Sequence, residues 1–294
     1  MTIQPVRAVG VAGAGFMGSG IAEAAARAGV RVTVYEPETR PLARSRERVD
    51  RSVARAVTGG KLSPERAVQL VERIAWTTDL HDLDESDVVI EAIVEDLDAK
   101  RELFARLDAA APAARILASN TSSIPIASLA AATTRPERVC GLHFFSPVPV
   151  MSLVEIVVGL DTDLATIAEA DAFAAQLGKH AIRTKDRAGF IVNFLLVPYL
   201  MSAVRMLEDG FASREDVDEG MRRGCGHPMG PLTLCDFIGL DVLQAVCDSL
   251  YEELARPEYA APALLKRMIA AGRLGRKSGR GFYDYAPAAA PVTA

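Results

Sequence analysis

The chain has 294 residues, 50% of them hydrophobic and 24% charged, with a formal net charge of -5 at pH 7. It is long enough for two domains with separate cores, and its acidic balance argues against a nucleic-acid binder, which carries a basic footprint. No apolar run reaches the roughly 18–20 residues that span a bilayer, and the opening MTIQPVRAVG lacks the basic-then-apolar layout of a secretory leader, so a cytoplasmic location and no membrane partner are expected.

VRAVGVAGAGFMGSGIAEAAARAG reads as a short buried strand, a glycine turn, and a helix closed by Gly29, followed by the strand VRVTVYE. Gly13, Gly15 and Gly18 form G-x-G-x-x-G between strand and helix. The first glycine permits the tight turn, the second lets backbone approach a pyrophosphate, and the third lets helix pack on strand. The helix N-terminus then presents its N–H groups to the phosphates. Glu36 closes the second strand, about twenty residues on. A carboxylate there accepts hydrogen bonds from an adenosine ribose and repels a 2′-phosphate, which favours NAD over NADP.

The segment from about 37 to 73 is too long for one crossover helix. It reads as a helical hairpin: RPLARSRERVDRSVARAVTGGK carries Arg40, Arg44, Arg46, Arg48, Arg51, Arg55 and then Lys61, and a second helix opens at SPER with Ser63 as cap and Pro64 at its first position. Such a charge run is ordinarily a solvated face; beside a nucleotide fold, it is also where a second polyanion would bind.

Strand candidates continue as RIAWTT, DVVIEAI, RILASN, RVCGLHFF, LVEIVVG and HAIRTK, several of them separated by helical segments. This is the pattern of a mostly parallel sheet wound with helices. ASNTSS places small polar side chains at the carboxyl edge of the sheet, where ligands bind. In RVCGLHFFSPVPVMSLVEI, Pro147 and Pro149 suit a turn and not a ladder. A hairpin centred on Pro149 sets His143 opposite Glu155 on one face. A carboxylate on imidazole fixes its tautomer and raises its basicity, the arrangement of a general base and its orienter.

Beyond residue 187 the chain reads as helical: GFIVNFLLVPYLMSAVRMLEDG with Pro198 inside and Asn193 as a buried amide, SREDVDEGMRRG with a capping box of Ser213 and Asp216, PLTLCDFIGLDVLQAVCDSLYEEL, and PALLKRMIAAG. The tail APAAAPVTA reads as frayed. Of Cys140, Cys225, Cys235 and Cys247, none forms a C-x-x-C pair, and an isolated Cys225–His227 pair makes no metal site. The expectation is therefore an α/β Rossmann-type domain over 1–187, of mostly parallel sheet, followed by an all-helical domain over 188–294.

Taken together, the glycine turn, IEAIVEDLDAKRELF, ASNTSS, GLHFFSPVPVMSLVEI, GFIVN, HPMGPLTLCDFIGLD and GRLGRKSGRGFYDY resemble the L-3-hydroxyacyl-CoA dehydrogenases of the short-chain, 3-hydroxybutyryl-CoA type, in order and over nearly the whole chain. The resemblance implies reversible NAD-linked oxidation of a (3S)-3-hydroxyacyl-CoA to the 3-ketoacyl-CoA. It makes His143 the base and Glu155 its partner, with Ser122 and Asn193 holding the substrate's oxygens. It assigns Glu36, Glu95, Lys100, Ser122, Ser146 and Lys277 to the cofactor, and Ser52 and Lys61 to coenzyme A. It also implies a homodimer formed through the helical domain. Three places depart from the family pattern: Ser146 stands where Asn is usual, Phe194 where Arg is common, and VTGGK offers only Lys61 where others place several lysines. Rival readings are a dehydrogenase of free hydroxy acids or sugar acids on the same scaffold, and a nucleotide-binding homologue without turnover.

Overall fold

A computed structural model describes residues 3–285; the expected frayed tail lies outside them. The chain separates into two compact units, Met1–Arg187 and Ala188–Ala294.

The first unit opens with β1 (Ala8–Ala12), α1 (Phe16–Arg27) and β2 (Arg31–Tyr35). The hairpin insertion follows as α2 (Thr39–Thr58) and α3 (Pro64–Glu72), the latter capped by Ser63 Oγ, which accepts the Arg66 N–H. Next come β3 (Ile74–Thr77), β4 (Val88–Glu91), α4 (Leu97–Ala110), β5 (Ile116–Ser119) and α5 (Ile126–Ala130). The unit closes with β6 (Val139–Phe144), β7 (Leu153–Val158), α6 (Leu164–Gln176) and β8 (His180–Lys185).

The eight strands form one sheet in the order β3-β2-β1-β4-β5-β6-β7-β8. Every pairing is parallel except β6 with β7, which are antiparallel and joined by residues 145–152. The central strands are buried on both faces, so β4 and β5 read as continuous runs and not as alternation. Parallel order brings the ends of β1, β4, β5 and β6 to one edge, where the loops carry the polar side chains.

The second unit is helical: α7 (Val192–Glu208), α8 (Arg214–Gly224), α9 (Pro231–Ile238), α10 (Leu240–Leu254) and α11 (Ala263–Ala270). Pro198 lies inside α7, and the capping box forms, with Ser213 Oγ accepting the Asp216 N–H and donating to Asp216 Oδ2. The helical stretch from Pro231 to Leu254 forms two helices. Gly239, at φ 103°, interrupts it with backbone that other residues rarely adopt, and α10 starts afresh beyond. A separate core includes Leu200, Val204, Leu232, Leu243 and Leu250. Asp236, 1% exposed, accepts the N–H groups of Phe282 and Tyr283 and the Tyr285 hydroxyl, tying the closing GFYDY segment to α9. No helix among the described residues is long and apolar enough to cross a membrane.

Three of the four cysteines, Cys140, Cys235 and Cys247, are buried. Burial pushes the Cys140 and Cys247 thiols up to about 12, which keeps them protonated and unreactive. Cys225 is exposed, and its neighbour His227 is engaged by the Tyr199 hydroxyl at 3.2 Å.

Candidate active site

Gly13 N–H donates to Tyr35 O, and its φ of 117° turns the chain sharply out of β1. A Cβ on Gly18 would stand 1.9 Å from Gly13 O, so the third glycine is demanded by the packing of α1 on the turn. A Cβ on Gly15 would meet nothing nearer than Ala92 O at 3.8 Å. Local packing therefore does not require that glycine, and the space in front of it is open. The first turn of α1 carries no acidic residue to compete with an anion.

Glu36 lies beside the same turn, its Oε2 accepting the Ala14 N–H at 3.0 Å. Arg48 meets the next peptide, donating to Ala14 O at 2.5 Å and to Ser19 Oγ at 3.0 Å, while Ser19 and Ser45 share a buried hydroxyl contact. Burial and the repulsion of Arg44 and Arg51 lower the Arg48 pKa, against a smaller opposing pull from Glu47. One member of the basic run thus braces the glycine turn, and the run is not uniformly a solvated face. Arg40, Arg44, Arg46, Arg51 and Arg55 are exposed, as is Lys61, with Ser52 half-buried.

His143 and Glu155 are direct partners in the β6–β7 register. Glu155 is 0% exposed and His143 5%, and Nδ1 lies 2.7 Å from Glu155 Oε2. An ionised carboxylate only accepts, so Nδ1 carries the proton and the Nε2 lone pair faces outward. Ser122 Oγ stands 3.1 Å from that Nε2 and donates to it. Phe145 packs edge-on against the imidazole, with ring centroids 4.7 Å apart. Lys179 pins the turn of the hairpin by donating to Val148 O and Met151 O, each at 2.7 Å.

Ser122 is placed by Glu95. The Oε1 of Glu95 accepts from Thr121 Oγ1, Ser122 N and Ser123 Oγ at 2.5, 3.0 and 3.0 Å, and its Oε2 lies 3.2 Å from Lys100 Nζ. Burial of the carboxyl end works to raise the Glu95 pKa, but Lys100 and these hydrogen bonds outweigh it and hold the group below its ordinary 4.5. A depressed carboxyl contributes stability that is complete above its ordinary value and is lost as pH falls through the lowered one. The wild-type protein is thus expected to lose its stability advantage over a Glu95→Gln variant as pH drops below 4.5. Parallel Tm-against-pH curves for the two would exclude it.

Lys100, expected from the resemblance to meet the cofactor, is 1% exposed. Its Nζ lies 2.6 Å from Glu91 Oε1. Glu91 is the functional-edge residue that sequence reasoning passed over. Its signal was present: a carboxylate ends the buried run DVVIE, where only a satisfied charge can stay.

Ser146 is exposed where the chain leaves β6. Asn193 and Lys277 belong to the second unit. Asn193 sits in the first turn of α7 and is half-exposed, which corrects the expectation of a buried amide: the apolar run begins at a helix terminus and does not enclose it. Lys277 is exposed and donates to Asp241 Oδ2 at 2.6 Å.

Residues 8–187 match the family model of the 3-hydroxyacyl-CoA dehydrogenase NAD binding domain, and residues 189–285 that of its C-terminal domain. The chain is 54% identical to a 3-hydroxybutyryl-CoA dehydrogenase of Mycobacterium tuberculosis, covering 95% of this chain and 99% of that one. It is 43% identical to the mitochondrial hydroxyacyl-coenzyme A dehydrogenase of Homo sapiens, over 95% of this chain and 91% of that one. The crystal structure of (S)-3-hydroxybutyryl-CoA dehydrogenase from Ralstonia eutropha superposes with a TM-score of 0.89 at 44% identity, covering 96% of this chain and 100% of that one. A glycine turn shaped for a pyrophosphate, an imidazole braced by a buried carboxylate, and these likenesses in both halves converge: the chain belongs to the 3-hydroxyacyl-CoA dehydrogenase family of NAD-dependent oxidoreductases.

Proposed function

We propose that this enzyme interconverts (3S)-3-hydroxybutyryl-CoA and the 3-ketoacyl-CoA, with NAD in preference to NADP. The observation that carries the reading is the relay Glu155–His143–Ser122, with contacts of 2.7 and 3.1 Å at the carboxyl edge of the sheet. An alcohol cannot lose hydride from its carbon unless its hydroxyl proton leaves too. Neutral His143 takes that proton at Nε2, and the imidazolium so formed is stabilised by Glu155 across Nδ1. As that proton arrives at Nε2, Ser122 turns its O–H to the substrate oxygen on which negative charge gathers, and Asn193 keeps the substrate-oxygen role that the family resemblance implies. When bound, NAD supplies the hydride acceptor.

On the cofactor side, the N–H groups around Gly13, Gly15 and Gly18 take the diphosphate, and Glu36 exchanges its Ala14 contact for the adenosine ribose. Its charge disfavours a 2′-phosphate. Glu95 and Ser146 edge the nicotinamide end. Lys100, buried between two carboxylates, supports that end through Glu95. Lys277 keeps the cofactor role that the family resemblance implies. The exposed arginines of α2, with Ser52 and Lys61, face the coenzyme A phosphates, which a free hydroxy acid would leave without a counter-charge. The helical unit exposes the apolar side chains Leu195, Phe211, Phe237 and Val242 by 66%, 79%, 46% and 47%, which a homodimer could cover. The buried free thiols accord with a cytoplasmic setting.

The test is NADH absorbance on adding acetoacetyl-CoA. Turnover with the thioester, little with acetoacetate and less with NADPH are expected; equal turnover with free acetoacetate would overturn the coenzyme A assignment, and NADH binding without turnover would return the chain to the non-catalytic reading. Glu36→Ala is expected to reduce the preference for NADH over NADPH by about tenfold, the equivalent of 1.4 kcal/mol. An unchanged ratio would remove Glu36 from that role.

A further inference from the structure

Behind His143 and Ser122 lies a buried charge pair that touches neither. Glu91, 0% exposed, ends β4 between Ala12 of β1 and Ser119 of β5 in the sheet register. Its carboxylate is satisfied by three donors. Ile93 N–H and Lys100 Nζ meet Oε1 at 2.7 and 2.6 Å, and Ser119 Oγ meets Oε2 at 2.6 Å.

Two of these donors lead to the same place. Ser119 Oγ accepts the Thr121 N–H at 3.1 Å. Lys100 spans from Glu91 to Glu95, which in turn holds Thr121, Ser122 and Ser123. One arm is carried by a hydroxyl, the other by a buried cation between two carboxylates, and both converge on the turn that sets Ser122 Oγ against His143 Nε2.

We propose that Glu91 is a positioning residue for the reaction: it orients Ser122 through Ser119 and through Lys100–Glu95. The inference rests on the function proposed above. A buried ion pair is a weak source of stability, since apolar residues of the same volume often serve as well. What such a pair supplies, when every donor and acceptor is matched, is a single geometry. A glutamine at position 91 keeps one acceptor oxygen, but its amide nitrogen donates where Oε2 had accepted from Ser119, and Lys100 then meets a full negative charge only at Glu95. Glu95 then shifts toward the cation, and the Ser122 turn follows.

The experiment is a mutant cycle on acetoacetyl-CoA reduction by NADH. Glu91→Gln and the charge-balanced pair Glu91→Gln with Lys100→Met are each made in the wild-type and Ser122→Ala backgrounds. With Ser122 present, both are expected to lower kcat about 10- to 100-fold, the scale of a small misplacement of a reacting group, and the pair with Lys100→Met is expected also to raise KM for NADH in either background, since Lys100 supports the nicotinamide end through Glu95. In the Ser122→Ala background the same changes should cost less than about twofold in kcat, because coupled residues do not add. Ser119→Ala cuts one arm without stranding a buried charge, so it serves if the position-91 variants fold poorly; it should show a smaller kcat loss that likewise vanishes without Ser122. Equal losses in both backgrounds, or none with Ser122 present, would overturn the proposal. Absence of turnover in the wild-type protein would overturn the function reading and this inference with it.

Discussion

Replacing His143 with alanine is expected to lower kcat by about 10²- to 10⁴-fold, the usual contribution of a positioned general base. NADH affinity, measured by fluorescence titration, is expected to stay within about twofold, since the imidazole meets Glu155, Ser122 and Phe145 and none of the glycine turn. The loss should appear in kcat because, in the proposed reaction, Nε2 takes the hydroxyl proton. Glu155→Gln acts on the same step from behind. The amide oxygen can still accept from Nδ1–H, but the amide nitrogen can also donate, which holds the wrong tautomer, and no negative charge remains to stabilise the imidazolium. Near-normal turnover in His143→Ala would remove the imidazole from the chemistry.

Gly18→Ala is expected to be the most damaging single methyl group in the cofactor site. Its Cβ would lie 1.9 Å from Gly13 O and 3.1 Å from Gly13 C, both backbone atoms, so α1 or the turn has to move. Overpacking of this kind costs about 1–3 kcal/mol, and the displaced N–H groups no longer converge on the diphosphate. A lowered Tm and an NADH affinity weakened by about tenfold or more are expected together. Gly15→Ala is the contrast. Its Cβ has 3.8 Å of clearance, so Tm should hold while NADH affinity falls, because the methyl group stands where the cofactor approaches. If Gly15→Ala bound NADH normally, the turn would not be the diphosphate site.

Much of the site was legible in the sequence because it is built from short-range geometry. The glycine spacing dictates a turn between β1 and α1, and two prolines, Pro149 midway between His143 and Glu155 and Pro147 just before it, mark a hairpin whose period-two pleat brings the two side chains to one face. Ser63 and Ser213 announce their helices by capping chemistry that needs only neighbours.

What escaped the sequence depends on strand order. Glu91 meets Ser119 and Lys100 because β5 lies beside β4 and α4 returns over their ends; no local pattern pairs residues so far apart. Arg48 looked like one charge among six until α2 packed on α1 and turned it onto Ala14 and Ser19. Asn193 looked buried because apolar residues flank it, yet a helix start leaves it half-exposed. The sequence by itself determined the strands, the turns and which residues carry reactive groups, since these follow from backbone preference and spacing. Only the tertiary structure decided which charges are buried against which partners, because burial is a property of the packed sheet and not of any segment within it.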